Sequence, residues 1–222
     1  MAAALEEIPI IGSLVKTFQF GAGGVRTDGI STQPSTNGEK IIINFSNHGD
    51  MVNQVPSYTM EKKVAPYRIV CNFFGVRYFQ YEQFIEEASQ ISGVKQVYRV
   101  ITLGDSEISF VIELEEDMDY EISEYEDPGR IEISLQRKES TPYQVYYLKS
   151  ESMMQGEALS NLRDEYAEEG ASIVRTSDGN YCVVIGEYQT EEEAFRELKK
   201  LKNQKDSGDI FKIGNSASNE NP

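Results

Sequence analysis

Side chains able to do chemistry are few in this chain, and they are scattered. The one histidine, His48, lies in Asn47-His-Gly-Asp50, a run of turn-forming residues. With one histidine, neither a Ser-His-Asp arrangement nor the several-ligand frame of a zinc hydrolase has support. Cys71 and Cys182 each fall inside an apolar, strand-like run. Two buried free thiols are the simpler reading, and a disulfide between them would require the two strands to be neighbours. An acidic run, Glu113–Asp119 with Glu121, Glu124, Glu126 and Asp127, lacks the glycine-centred ligand spacing of a calcium loop and reads as a solvated acidic rim. No catalytic residue, metal ligand or cofactor site is therefore expected. The residues left are those of a binding surface: Gln144, Tyr146, Leu148, Cys182, Val184 and Tyr188.

A repeated strand–helix pattern carries that surface. Tyr143–Leu148 is aromatic and β-branched, and Gln155–Glu169 has Ala158, Leu159, Leu162, Tyr166 and Ala167 at helical spacing. Ala171–Thr176 and Tyr181–Tyr188 flank a Ser-Asp-Gly-Asn turn, which is a hairpin signal. Thr190 followed by Glu191–Glu193 reads as a capping box, and Ala194, Phe195, Leu198 and Leu201 form an apolar stripe. Asp209–Ile213 supplies a last strand. The order β-α-β-β-α-β predicts a split βαβ sandwich, with two helices on one sheet face and the other face open. With Val145 and Tyr147 toward the helices, Gln144, Tyr146 and Leu148 point outward, joined by Cys182 and Val184 of the hairpin partner. Such a face is apolar enough that cover by the rest of the chain, or by a second copy, is expected.

Upstream, strand composition dominates. Lys40–Phe45, Tyr67–Phe74, Val94–Leu103, Ile108–Leu114, Asp119–Glu124 and Arg130–Leu135 read as strands, with one short helix at Tyr81–Ser89. Ile108, Phe110, Ile112 and Leu114 alternate, as in a sheet packed on one side. Gly21–Gly38 is rich in Gly, Ser, Thr and Pro and reads as a linker, while Gly214–Pro222 should fray. The expected organisation is an N-terminal amphipathic segment and linker over 1–38, a β domain over 39–140, an α/β domain over 141–214 and a disordered tail over 215–222. The fold class is α+β.

Net charge is −16, and the acidic excess runs through both blocks. It opposes nucleic acid and anionic lipid, and no basic stripe offsets it. No run of about twenty apolar residues spans a membrane, and no signal peptide is readable at the start.

The C-terminal pattern resembles a SPOR domain, a peptidoglycan-binding module of bacteria. Tyr181-Cys-Val-Val-Ile-Gly186-Glu-Tyr188, then Thr190-Glu-Glu-Glu-Ala194, Leu198 and Leu201 carry the likeness. The family favours Gln where Tyr146 stands and Arg where Cys182 stands. The first block resembles an AMIN domain, an all-β module of cell-envelope proteins. The matching pieces are Arg68–Val76, Gly93–Val100, Phe110–Leu114, Tyr120–Ile122 and Ile131–Leu135; the Tyr81–Ser89 helix departs from that pattern. Leu5–Phe20 resembles a juxtamembrane piece of some Gram-positive envelope proteins, which implies a membrane anchor upstream.

Together the resemblances imply a non-catalytic, membrane-anchored, extracytoplasmic protein that binds peptidoglycan, in cell division or sporulation. The expected partners are peptidoglycan glycan strands or an envelope protein, with no nucleic acid. The alternative is a scaffold that spends the C-terminal sheet face on domain or subunit contact.

Overall fold

A computed structural model describes residues 29–34, 40–205 and 209–222. The Leu5–Phe20 segment lies outside them. Among the described residues the chain forms three antiparallel sheets and three α-helices, an α+β architecture.

Two sheets make the N-terminal block. The first runs in the order β1 (Gly29–Pro34), β2 (Lys40–Asn47), β9 (Arg130–Arg137), β8 (Met118–Tyr125), with the short β3 (Asp50–Met51) on β2. The second runs β4 (Tyr58–Lys63), β5 (Arg68–Phe74), β7 (Glu107–Leu114), β6 (Val94–Val100). Alternate residues of each sheet turn inward, as strand geometry demands. Ile41, Ile43 and Phe45 of β2, with Ile131, Ile133 and Leu135 of β9, meet Ile69, Cys71 and Phe73 of β5 and Phe110 and Ile112 of β7. Ring centroids lie 5.6 Å apart for Phe45 and Phe73, and 5.9 Å for Phe73 and Phe110. Helix α1 (Tyr81–Ala88) closes this core with Phe84, 4.7 Å from the Phe110 ring.

The C-terminal block follows the order β10 (Gln144–Lys149), α2 (Glu157–Glu165), a 3-10 turn (Ala167–Glu169), β11 (Ser172–Arg175), β12 (Tyr181–Tyr188), α3 (Glu191–Gln204), β13 (Lys212–Ala217). Its sheet order is β11-β12-β10-β13, so the first and third strands of the unit lie at the centre. Leu148, Ile173, Val183 and Ile185 pack under Leu159, Tyr166, Ala194 and Leu201. The start of α3 is fixed by Thr190, whose hydroxyl accepts from the Glu193 N–H, while the Glu193 carboxylate accepts from Gln189 N–H.

Four expectations are corrected. Gly29–Pro34 of the presumed linker is strand β1, which pairs with β2 over its whole length. The tail is not disordered: β13 begins at Lys212, runs to Ala217 and pairs with all of β10, and Ser218 is fully buried. Its polarity hid this, because an edge strand needs only main-chain partners on one side. Strand β4 was not counted among the strands, since Lys62 and Lys63 dilute its alternation. Finally, β7 is buried on both faces, Val111 and Glu113 included. Its second face is covered by the C-terminal block.

Candidate functional site

The six surface residues expected to share one sheet face are divided between two. Directly opposite residues on paired strands share a face. Leu148 pairs with Ile185 and Ile213, and Tyr146 pairs with Tyr188 and Asn215. These side chains lie with the helices, so Tyr146, Leu148 and Tyr188 are removed from the open face. Val145 and Tyr147 take their place beside Cys182 and Val184. Gln144 is exposed and donates to Asn215 Oδ1 and Ser216 O.

A bulge explains how Ile185 and Tyr188 reach the same face. Gly186 and Glu187 lie between Ile185 and Tyr188 on β12, where Tyr147 alone lies between Leu148 and Tyr146 on β10. Gly186 takes φ +74, the left-handed region open to glycine, and the extra residue inverts the alternation beyond it. Glu187 therefore turns to the face carrying Cys182 and Val184. Because β10 is apolar at Val145, Tyr147 and Leu148, its pattern gave no reason to prefer either parity.

The face of Val145, Tyr147, Val174, Cys182 and Val184 is buried, as its apolar character predicted, and the N-terminal block covers it. Arg68, at the start of β5, is 1 % exposed at this joint. Its Nη1 donates to the carbonyls of Val64 and Pro66, and its Nη2 donates to Ser172 Oγ at 3.3 Å. The Val64 N–H donates to Glu187 Oε1 at 2.9 Å, and the Ala65 N–H to Ser218 O at 2.9 Å. Tyr67 and Ser218 share a buried hydroxyl contact of 2.7 Å. Ser218 also accepts from Tyr143 N–H, which ties the end of the chain to the start of the block.

A second set of contacts extends the joint along β6. Arg175 Nη1 donates to Gln96 Oε1 at 2.7 Å, and the Tyr98 and Tyr181 rings meet edge to face at 5.8 Å. Ser160 Oγ donates to Ile101 O at 2.7 Å, anchoring α2 as well. Glu113, fully buried, is paired by Lys95 at 2.6 Å and by Gln96 Nε2 at 2.8 Å. The acidic run is thus no solvated rim throughout. Asp117 pairs with Lys62 at 2.5 Å and Glu116 with Arg137 at 3.0 Å, so lysine and arginine hold these carboxylates.

Two hollows flank the sheet. On the helix side, Leu148, Ile185 and Leu201 floor a cleft of about 400 Å³ rimmed by Glu168, Glu197 and Lys200. Tyr188 stands in it, and burial, then the Glu197 charge, pushes its hydroxyl up to about 12. At the joint, a cavity of about 180 Å³ is lined by Lys63, Arg68, Ser172 and Glu187.

Neither cysteine is poised for nucleophilic work: both are buried, and burial pushes the Cys182 thiol up to about 11. His48 has φ +52 in the β2–β3 turn. Arg68, Ser172, Glu187 and Ser218, which build the joint, were not singled out as site residues. The one signal for Arg68 is a charged residue opening a strand that is otherwise apolar but for Asn72. No family model matches the chain, and no curated protein matches it.

Proposed function

We propose that this protein is a non-catalytic scaffold of the bacterial cell envelope, extracytoplasmic and built to present one rigid surface to a protein partner. The carrying observation is the burial of Tyr147, Cys182 and Val184 beneath Arg68 and the Val64–Tyr67 turn. The sheet face that the SPOR likeness would offer to glycan is used as a domain joint instead. A sugar needs exposed polar donors beside an exposed aromatic face, and on this face the Tyr147 ring is buried. The AMIN and SPOR likenesses support the envelope setting, and the acidic surface suits a basic protein partner better than a polyanion.

Peptidoglycan binding remains as a second reading, favoured by one feature. Tyr143, 53 % exposed, precedes the exposed amide of Gln144 at the lip of the joint. An aromatic face beside an amide is a fitting pair for a sugar ring. Sedimentation with purified peptidoglycan, intact and stripped of stem peptides, separates the two readings. Absence of binding to either form at low salt supports the scaffold. Saturable binding lost in Tyr143→Ala overturns it in favour of glycan.

A further inference from the structure

The C-terminal sheet has an edge with no strand beyond it. Its order is β11-β12-β10-β13, and among the described residues nothing pairs with the far side of β13. In an antiparallel ladder, alternate residues turn both N–H and C=O to the same neighbour. Ser218 N–H donates to Tyr143 O, and the register of β10 with β13 is unbroken, so Ser216, Gly214 and Lys212 bond inward to β10. Ile213 and Asn215 therefore aim their N–H and C=O groups outward. Natural edges are blunted by charge, proline or a bulge. Strand β13 has no proline and no bulge, and its one charge, Lys212, is spent on Glu151. By contrast, the β8 edge of the first sheet carries Asp119, Glu121 and Glu124.

Helix α3 flanks this edge. Glu197, Lys200, Leu201 and Gln204 look into the cleft toward the 3-10 turn. With 3.6 residues per turn, Phe195 and Lys202 fall on the opposite flank, above β13. Phe195 is 57 % exposed, and Ile213, which shares the helix face with Leu148, is only half-buried. A strand added at the edge lays alternate side chains along this apolar strip. Charge along α3 is polarised: Glu191, Glu192 and Glu193 open it, and Lys199, Lys200 and Lys202 lie toward its end. Its acids and bases balance locally, in a chain of net charge −16. Two copies of such a helix running antiparallel set the acidic start of each against the basic end of the other, which makes the surface complementary to itself.

We propose that the β13 edge pairs with β13 of a second copy of this chain, antiparallel about a two-fold axis at Gly214. In that register Ile213 of each copy faces Asn215 of the other and exchanges N–H···O bonds with it. Every outward main-chain group of both residues is then satisfied. Gly214, without a side chain, meets its counterpart on the axis. The two sheets become one, with the two α3 helices antiparallel above it. The contact closes at two copies, because each spends the edge that the other needs. The turn in which Glu220 N–H donates to Ala217 O ends the pairing. Neither the scaffold nor the glycan reading requires a second copy, so the pairing stands apart from both.

Sedimentation equilibrium of the full chain over a concentration series tests it, with a monomer–dimer equilibrium as the expected result. Amide hydrogen exchange at Ile213 and Asn215 should slow as the dimer fills. Asn215→Pro removes an outward N–H without touching a bond to β10, and should weaken association by about tenfold or more. Charge reversal tests the orientation independently of that variant's folding. A chain with Glu191→Lys and Glu192→Lys, and another with Lys199→Glu and Lys202→Glu, should each self-associate more weakly than the parent. Mixed together, they should form a heterodimer tighter than either forms alone. A protein that stays monomeric at every concentration overturns the proposal, as does a mixture no tighter than the separate chains. Association undiminished in a folded Asn215→Pro variant overturns the strand pairing, and species larger than a dimer overturn the two-fold register.

Discussion

Arg68 Nη2 lies 3.3 Å from Ser172 Oγ, a hydrogen bond between residues 104 positions apart that joins the two blocks. Burial pulls the Arg68 pKa down, while the Tyr98 hydroxyl, Glu187, Cys182 and Glu113 nearby push it up. The guanidinium is thus held at the joint by a surrounding set of acceptors and acids. A charge buried this way is expensive to remove singly, because its partners stay behind.

Arg68→Ala should accordingly lower the unfolding free energy by about 3–5 kcal/mol. Ser172→Ala, which removes one hydroxyl, should cost about 1 kcal/mol. Urea midpoints of the two variants measure the difference. Equal midpoints for Arg68→Ala and the parent protein would rule out the guanidinium as a structural link.

Val174 is fully buried on the covered sheet face, paired with Cys182. Val174→Asp sets an acid against an apolar surface and should separate the blocks or unfold the C-terminal one. Protease cleavage in the connection over 138–143 should accelerate, and the radius of gyration by X-ray scattering should rise. A variant with parent-like scattering and cleavage would mean the joint does not depend on this face.

Burial raises the Cys182 thiol from 9.0 to about 11. The folded protein therefore holds this proton more tightly than the unfolded chain does. Its contribution to stability is full below about pH 9 and is lost as pH climbs toward 11. Thermal melts from pH 8 to 11 should show a fall in midpoint that is shallower in Cys182→Ala. At pH 8 a thiol reagent should modify neither cysteine in the folded protein and both after denaturation. Rapid labelling of the folded protein would contradict the buried placement.

Gly186 sits at φ +74, and a Cβ there would lie 2.2 Å from the Tyr188 hydroxyl oxygen. Gly186→Ala should destabilise by about 1–3 kcal/mol, from the left-handed backbone alone and from displacement of the Tyr188 ring. Loss of the bulge would also return Glu187 to the helix side and break its bond to Val64 N–H. A chemical-denaturation midpoint equal to the parent's would show that the bulge tolerates a side chain.

Where one face of an element is apolar and the other polar, its type and placement were legible. The strand at Lys40–Phe45, the Ser-Asp-Gly-Asn hairpin and the Thr190 cap all lie where their patterns put them. Elements with weaker contrast were missed. Strand β1 is made of Gly, Ser, Thr, Gln and Pro beside one Ile and reads as loop, and the last strand, expected at Asp209–Ile213, lies at Lys212–Ala217 because β13 runs on into Asn and Ser. Each is held by a partner strand distant in sequence, which no local pattern records.

The candidate site divides along the same line. Local order specified a four-stranded sheet with two helices and an apolar second face, because hydrophobic spacing and turn residues act over a few positions. It also implied that this face would be covered. Which residues occupy the face depended on the Gly186 bulge, and what covers it depended on the approach of Arg68 and Tyr67 from the other block. Side-chain parity along β10 was undetermined, since a strand buried on both sides has no polar face to mark its orientation. Only the tertiary structure decided these points, because burial of a face is a property of its partner as much as of its own residues.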